Sequence, residues 1–323
     1  MEPFPDADHL GRVNVGKVER KLFPDVDSQT VDVLYQDAVV PWLCEVIGVK
    51  NYNWINQRWV ETPGGYIYSP HLQPVKNLVN QPVGDLGSLG WEEGFWAEVT
   101  VPFVDIMLAN PPARSYWLQQ AALPRLYYSQ VVWIDQLRKG DDGRIWYRVN
   151  ERYGSPGDIF WVPGDALRPI EPDEIAPINP QAEQKRIRVN VTDQTMGCFE
   201  DGVEVYFCQI STGYRLKGEW ETPIGVHPIW RKLISLHMSG GSTGVGWDLA
   251  GVGWTSLFVG NGVAIHSTFW HNDFGAPRSH GCVNTRPEDA KWVFRWSQPA
   301  VAYDPGDITI AMPGGTVVEI FET

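Results

Sequence analysis

Cys282 and the histidines around it are the residues whose types and spacing suit chemistry. Ile265-His266-Ser267-Thr268-Phe269-Trp270-His271-Asn272-Asp273-Phe274-Gly275 is followed closely by Arg278-Ser279-His280-Gly281-Cys282-Val283-Asn284. A thiol becomes a strong nucleophile once ionised, so it needs a base or a cation beside it. His266 ends an apolar run of Val263, Ala264 and Ile265 and is the candidate base. Cys282 reads as lying just ahead of a helix N-terminus, whose partial positive charge favours thiolate. The N–H groups of His280, Gly281 and Cys282 suit an oxyanion hole, and Gly281 lets a carbonyl approach closely.

A metal site is the rival reading, because His266, His271, His280 and Cys282 offer nitrogen and sulfur ligands. No pair has the Cys-x-x-Cys or His-Glu-x-x-His spacing of common zinc sites. The expectation is a thiol site with no metal and no cofactor.

The segment resembles the L,D-transpeptidase catalytic domain of the YkuD type. That family's signature is a histidine followed, after a loop, by Ser/Thr-His-Gly-Cys-x-Asn, here His266 and then Ser279, His280, Gly281, Cys282, Val283 and Asn284. Its upstream Ser-Thr-Gly and Thr-Pro-x-Gly appear as Ser211-Thr212-Gly213 and Thr222-Pro223-Ile224-Gly225. The likeness runs from about Lys185 to Ile320, some two-fifths of the chain.

The resemblance implies a mostly β catalytic domain that acts on peptidoglycan stem peptides. Cys282 would attack the third-position carbonyl of a tetrapeptide stem and expel the terminal D-alanine. The thioester would pass to a diamino-acid side-chain amine of a second stem. His266 would take the thiol proton and Ser267 would orient the imidazole, although many relatives have Gly at that position. His280, Gly281 and Cys282 would hold the oxyanion, with Ser279 and Asn284 bracing the loop. On charge and position, Arg278 is expected to meet a stem carboxylate. The insert between Gly225 and His266 reads as a mobile flap around Gly240-Gly241-Ser242, with Trp247 and Trp254 either lining the donor groove or serving ordinary packing. A carbapenem-type β-lactam, a strained amide, is expected to trap the same thiolate. The alternatives are an L,D-carboxypeptidase using water as acceptor, a non-catalytic wall-binding protein, and a metal-dependent wall peptidase.

The elements that must position these groups read as mainly β. Short Val/Ile/Tyr/Trp runs separated by Gly, Pro and Asp predict many short strands. Two blocks, residues 9–79 and 92–172, share a pattern: a strand opening on Trp, a Gly-led or Asp-led aromatic strand, then Leu-x-Pro and an aliphatic residue. This predicts two small β-barrels, each resembling a bacterial SH3-like wall module. Residues 183–323 form the expected catalytic domain, able to react alone.

Within that domain a hairpin is predicted around Asp201-Gly202, with Cys198 opposite Val205 and Cys208 on the other face, so that no bridge forms. Cys44, Cys198 and Cys208 are expected to be packing residues. Thr285-Arg286-Pro287-Glu288 reads as a capping box for the one clear helix, which follows the nucleophile. Ala290, Val293, Phe294 and Ser297 form its buried stripe, and Lys291 and Arg295 face water.

Composition bounds the partners. Of 323 residues 43% are hydrophobic and 20% charged, which suits a folded chain and excludes disorder. The net charge of −13 and the lack of a basic run argue against nucleic acid. No apolar stretch reaches the roughly 18 residues of a membrane span. Met1-Glu2-Pro3-Phe4-Pro5 lacks the grammar of an export signal. An extracytoplasmic location is expected from the resemblance, with the signal not present in this sequence. The 16 tryptophans either fill β cores or stack on wall polymer, Trp59, Tyr66, Trp146 and Trp161 being the candidates.

Overall fold

The structure, a computed structural model, describes residues 4–49, 55–87, 90, 92–214, 221–240, 247–260 and 262–323. In the first unit, a three-stranded sheet (Val39–Pro41, Leu10–Val13, Leu72–Val75) faces a five-stranded one (Thr30–Tyr35, Lys17–Lys21, Gly65–Tyr68, Arg58–Thr62, Cys44–Ile47). Val13, Val18, Val40, Val60, Ile67 and Leu72 fill the space between them. Trp59 is 3% exposed and therefore belongs to the interior of this unit.

The second unit is built on a six-stranded sheet in the order Met107–Leu108, Ile159–Pro163, Ile145–Asn150, Val131–Lys139, Phe95–Val99, Leu167–Pro169. The two units share one strand–turn–strand arrangement. In the first unit a strand, the 3-10 turn Ser69–His71 and the exit strand Leu72–Val75 return antiparallel onto Leu10–Val13. In the second, the turn Gly164–Ala166 and exit strand Leu167–Pro169 return antiparallel onto Phe95–Val99. A short helix, Tyr116–Gln120, was not foreseen, since five residues show no periodic stripe.

The C-terminal region packs two five-stranded sheets. One runs Val203–Gln209, Thr195–Glu200, Lys185–Asn190, Val317–Phe321, Gly225–Pro228, and the other Val283–Thr285, Val263–Ser267, Trp247–Val259, Arg231–Gly240, Asp307–Thr309. Ile187, Val189, Met196, Phe258, Ile265 and Val283 form the core between them.

Several local expectations are corrected. A bulge between Cys198 and Phe199 sets Cys198 opposite Tyr206 rather than Val205. Cross-strand partners share a face, so Cys198 and Cys208 enter the same core, both as free thiols. Burial holds both well above the usual thiol range. Cys44 is exposed rather than packed.

The helix spans Pro287–Trp296, with Arg286 at its N-cap and no side-chain cap; Thr285 Oγ1 donates instead to His266 O at 3.1 Å. Lys291 is turned to protein, pairing with Glu174 at 2.6 Å.

The second unit and the C-terminal region share a core. Trp96, Val131 and Trp133 pack in one cluster with Ile234, Trp254 and Phe294. The first unit grips the loop after His266, where Arg58 and Asn272 cross-link through Asn272 O at 3.2 Å. Among the described residues, no helix is long and apolar enough to cross a membrane.

Candidate active site

His266 sits in the strand Val263–Ser267, which pairs in parallel with Val283–Thr285 and places His266 opposite Asn284. In that register Cys282, just before the second strand, falls on the same face as His266. Both line a cleft of about 790 Å³, with Trp247, Trp270, Arg278, Ser279, His280 and Asn284 among its other walls.

The loop carrying Cys282 is clasped by the upstream motif. Ser211 and Asn284 exchange backbone hydrogen bonds at 2.9 and 2.8 Å, and the N–H groups of Arg278 and Ser279 reach Thr212 O at 2.9 and 3.0 Å. Thr222 Oγ1 accepts from Gly213 N–H and donates to Gly281 O, each at 2.9 Å. Gln194 holds Thr212 from behind: its Oε1 accepts from Thr212 N–H at 2.8 Å. Nothing in the local pattern singled out Gln194.

Ser279 Oγ accepts from Gly281 N–H at 3.1 Å and donates to Cys282 O at 2.5 Å. Ser279 therefore braces the loop as expected. Gly281 N–H, however, is engaged internally and leaves the expected oxyanion set. Glycine is required there because φ is +117°, a backbone region that side-chain-bearing residues rarely adopt.

His266 Nδ1 lies 2.9 Å from Ser267 O. A carbonyl only accepts, so Nδ1 carries the proton and Nε2 keeps its lone pair. Burial lowers the His266 pKa to about 4, partly opposed by that hydrogen bond, and the ring is neutral. Ser267 thus orients the imidazole through its main chain, while its buried Oγ has no hydrogen-bond partner among the described residues. The residue type at this position is immaterial to that contact, which corrects the side-chain role expected for Ser267.

Burial pushes the Cys282 thiol up to about 11, opposed in part by a hydrogen bond from Ala264 N–H. The expected helix dipole is not at the sulfur, since the Val283–Thr285 strand intervenes before the helix at Pro287. The resting pair is therefore a neutral thiol and a neutral imidazole.

His271 is a buttress. Its Nδ1 accepts from Asp273 N–H at 3.2 Å, and its Nε2 lies 2.8 Å from the side-chain amide nitrogen of Asn284. His280 is exposed, its ring stacked on Trp247 with centroids 4.6 Å apart. Arg278, 54% exposed in its side chain, enters the cleft wall with Nε donating to Asp273 at 2.5 Å.

Trp254 does not line the cleft. It is 1% exposed and packs edge-on against Phe294 of the helix at 5.5 Å. Trp254 lies under the helix, and Trp247 lies earlier on the same strand, beyond a bulge in its pairing with Arg231–Gly240. Trp247 keeps its expected place. The flap reading falls partly on residues 241–246, which lie outside the described residues; the described part is a long hairpin, Arg231–Gly240 with Trp247–Val259. Among the described residues no group of three or more His, Cys, Asp or Glu is arranged to hold a metal.

Residues 184–320 match the sequence model of the YkuD family, the L,D-transpeptidase catalytic domain. This segment is an L,D-transpeptidase catalytic domain.

Solved structures of such enzymes are similar. An L,D-transpeptidase mutant from Enterococcus faecium is 25% identical, over 44% of this chain and 51% of that one, with a TM-score of 0.34. The catalytic domain of the E. faecium enzyme is 26% identical over 43% and 98%, at 0.33. An L,D-transpeptidase from Mycobacterium smegmatis is 17% identical over 76% and 93%, at 0.34. The chain spans about half the length of the first of these. No curated protein matches it.

Sequence reading also missed Glu151 and Asp248, which enclose His237 in the wall of the cleft. Nothing distinguishes these two acids from surface residues until the chain is folded.

Proposed function

We propose that the chain is a peptidoglycan L,D-transpeptidase acting outside the cytoplasmic membrane. One observation carries this reading: Cys282 shares a cleft with a neutral His266 whose Nδ1 is committed to Ser267 O, so that Nε2 is available as base. Cys282 Sγ attacks the third-position carbonyl of a donor tetrapeptide, and its proton passes to His266 Nε2. The tetrahedral oxyanion meets the Cys282 N–H. Collapse breaks the amide bond, and the leaving D-alanine amine takes the proton from His266. The side-chain amine of a second stem then attacks the thioester, gives a proton to His266, and leaves a new amide with Cys282 restored as thiol. Arg278, at the cleft wall with half its side chain in solvent, suits a stem carboxylate.

The solved structures that the chain resembles include an L,D-transpeptidase with imipenem and an avibactam carbamoyl enzyme, which supports carbapenem-class β-lactams as traps for Cys282. The two N-terminal units are proposed to be SH3-like. Trp146 and Trp161 are only half-buried and lie beneath Arg144 and Arg138, so wall contact is assigned to them and not to the buried Trp59.

Purified tetrapeptide stems and mass analysis of the products test the proposal. Cross-linked dimers are expected, with D-alanine released. Tripeptide without dimer would convert the reading to an L,D-carboxypeptidase, and no release of D-alanine would leave a binding protein.

A further inference from the structure

A buried charged cluster lies in the cleft wall, and its members come from two parts of the chain. His237 belongs to Arg231–Gly240 and Asp248 to its hairpin partner Trp247–Val259, while Glu151 follows Ile145–Asn150 in the second N-terminal unit. Glu151 Oε2 accepts from His237 Nδ1 at 2.6 Å, and Oε1 accepts from Gly251 N–H at 3.0 Å. Asp248 Oδ1 accepts from Nε2 of the same ring, and its Oδ2 accepts from Trp117 N–H at 3.1 Å, again in the second unit. The three side chains are 1%, 6% and 9% exposed.

The backbones meet as closely. His237 N–H donates to Tyr153 O at 3.0 Å, and a Cβ on neighbouring Gly154, whose φ is +72°, would lie 2.2 Å from His237 O. Both ring nitrogens face carboxylates, so both carry protons. Burial alone would lower the His237 pKa, but Glu151 and Asp248 together raise it to about 9. Glu151 and Asp248 bracket one imidazolium, and removing Glu151 would strand His237 Nδ1–H and Gly251 N–H in a buried site, so the arrangement holds its geometry firmly. His237 itself lines the cleft, as do the residues on either side of it and of Asp248, namely Leu236, Met238, Trp247 and Leu249. Trp247 in turn stacks on His280, two residues before Cys282.

We infer that Glu151 is a positioning residue for the acyl donor: through His237 and the hairpin, the second N-terminal unit sets the wall against which the donor lies. This inference rests on the transpeptidase reading above. Glu151 does not touch the donor; it acts through the side chains that flank the cluster. A wall that shapes ground-state contacts affects KM more than kcat, because the thiol and its base stand on other strands.

Full-length Glu151→Ala and Glu151→Gln proteins test this against the unaltered chain. The tetrapeptide stem is the donor, and iodoacetamide probes Cys282 separately. In Glu151→Ala the KM for the stem is expected to rise about tenfold with kcat within about twofold, while alkylation by the small reagent keeps its rate. Glu151→Gln, which keeps the size and one acceptor, should fall between the two. An unchanged KM overturns the inference, and so does an equal loss in kcat and alkylation, which marks general damage. If Glu151→Ala fails to fold, Glu151→Gln is judged by the same criteria. Turnover in the unaltered chain with KM unmoved in the variants removes this inference alone; no turnover, with normal alkylation of Cys282, removes the proposed function and this inference with it.

Discussion

The Arg12 guanidinium donates to the carbonyl oxygen of Phe269 at 3.0 Å, joining the first strand of the chain to the loop that follows His266. The same guanidinium pairs with Asp37 at 2.9 Å and lies 4.1 Å from the Tyr127 ring centroid, so residues of all three regions meet at one buried cation. Arg12→Ala strands Phe269 O and part of Asp37. A loss of about 2–4 kcal/mol in denaturant unfolding is expected. A change within about 0.5 kcal/mol would show that the first unit is not coupled to the loop.

Cys282→Ala should abolish acylation by stem or carbapenem with the fold retained, as read by intact mass and by a melting curve. Cys198→Ala and Cys208→Ala, both in the core, should cost about 1–2 kcal/mol and spare acylation. Cys44→Ala, at an exposed site, should do neither.

The alkylation rate of Cys282 should climb with pH toward the raised pKa of about 11, with no plateau near neutrality. His266→Ala should lower the neutral-pH rate and matter less as hydroxide replaces the base. Ser267→Ala should leave the whole profile in place, because the main-chain carbonyl, and not the hydroxyl, holds Nδ1. A displaced profile in Ser267→Ala would restore a role for the side chain.

Stability should be greatest near pH 6.5 and decline on both sides. His266 and His271 are buried neutral, with pKa values lowered by burial from 6.5 to about 4 and about 3. Unfolding lets them take up protons, so their contribution is full above 6.5 and lost as the pH falls toward 4. His237 is raised from 6.5 to about 9, so its contribution is full below 6.5 and lost as the pH climbs toward 9. Each such group changes stability by up to about 1.4 kcal/mol per pH unit within its window. Urea midpoints across this range check it, and a flat limb above pH 6.5 would contradict the charged state of His237.

Trp254→Ala empties a packed core and should cost about 3–5 kcal/mol. Trp247→Ala should cost far less stability and instead weaken donor binding, since its ring is part of the cleft wall. Denaturation and KM, measured on both variants, separate the two roles.

Local chemistry was readable before folding. The Ser279-His280-Gly281-Cys282-x-Asn284 string, the apolar strand ending in His266 and the clasping Ser211-Thr212-Gly213 are each short-range patterns with a direct physical meaning, and all converge on the cleft. The mostly β character of the chain was legible for the same reason, as turns and alternation are written within ten or so residues.

Only the tertiary structure decided the rest. A single bulge turned Cys198 and Cys208 onto one face, and the packing of a helix buried Trp254 while Trp247 stayed at the cleft. The engagement of Gly281 N–H by Ser279, the upward push on the Cys282 pKa and the use of the Ser267 carbonyl all depend on burial and on atoms brought together in three dimensions. Glu151 and His237, 86 residues apart, become partners only when two regions share a surface. Sequence carries the period of an element and the identity of a reactive group. Which face an element buries, and which distant charge it meets, is set by the packing of all the elements at once.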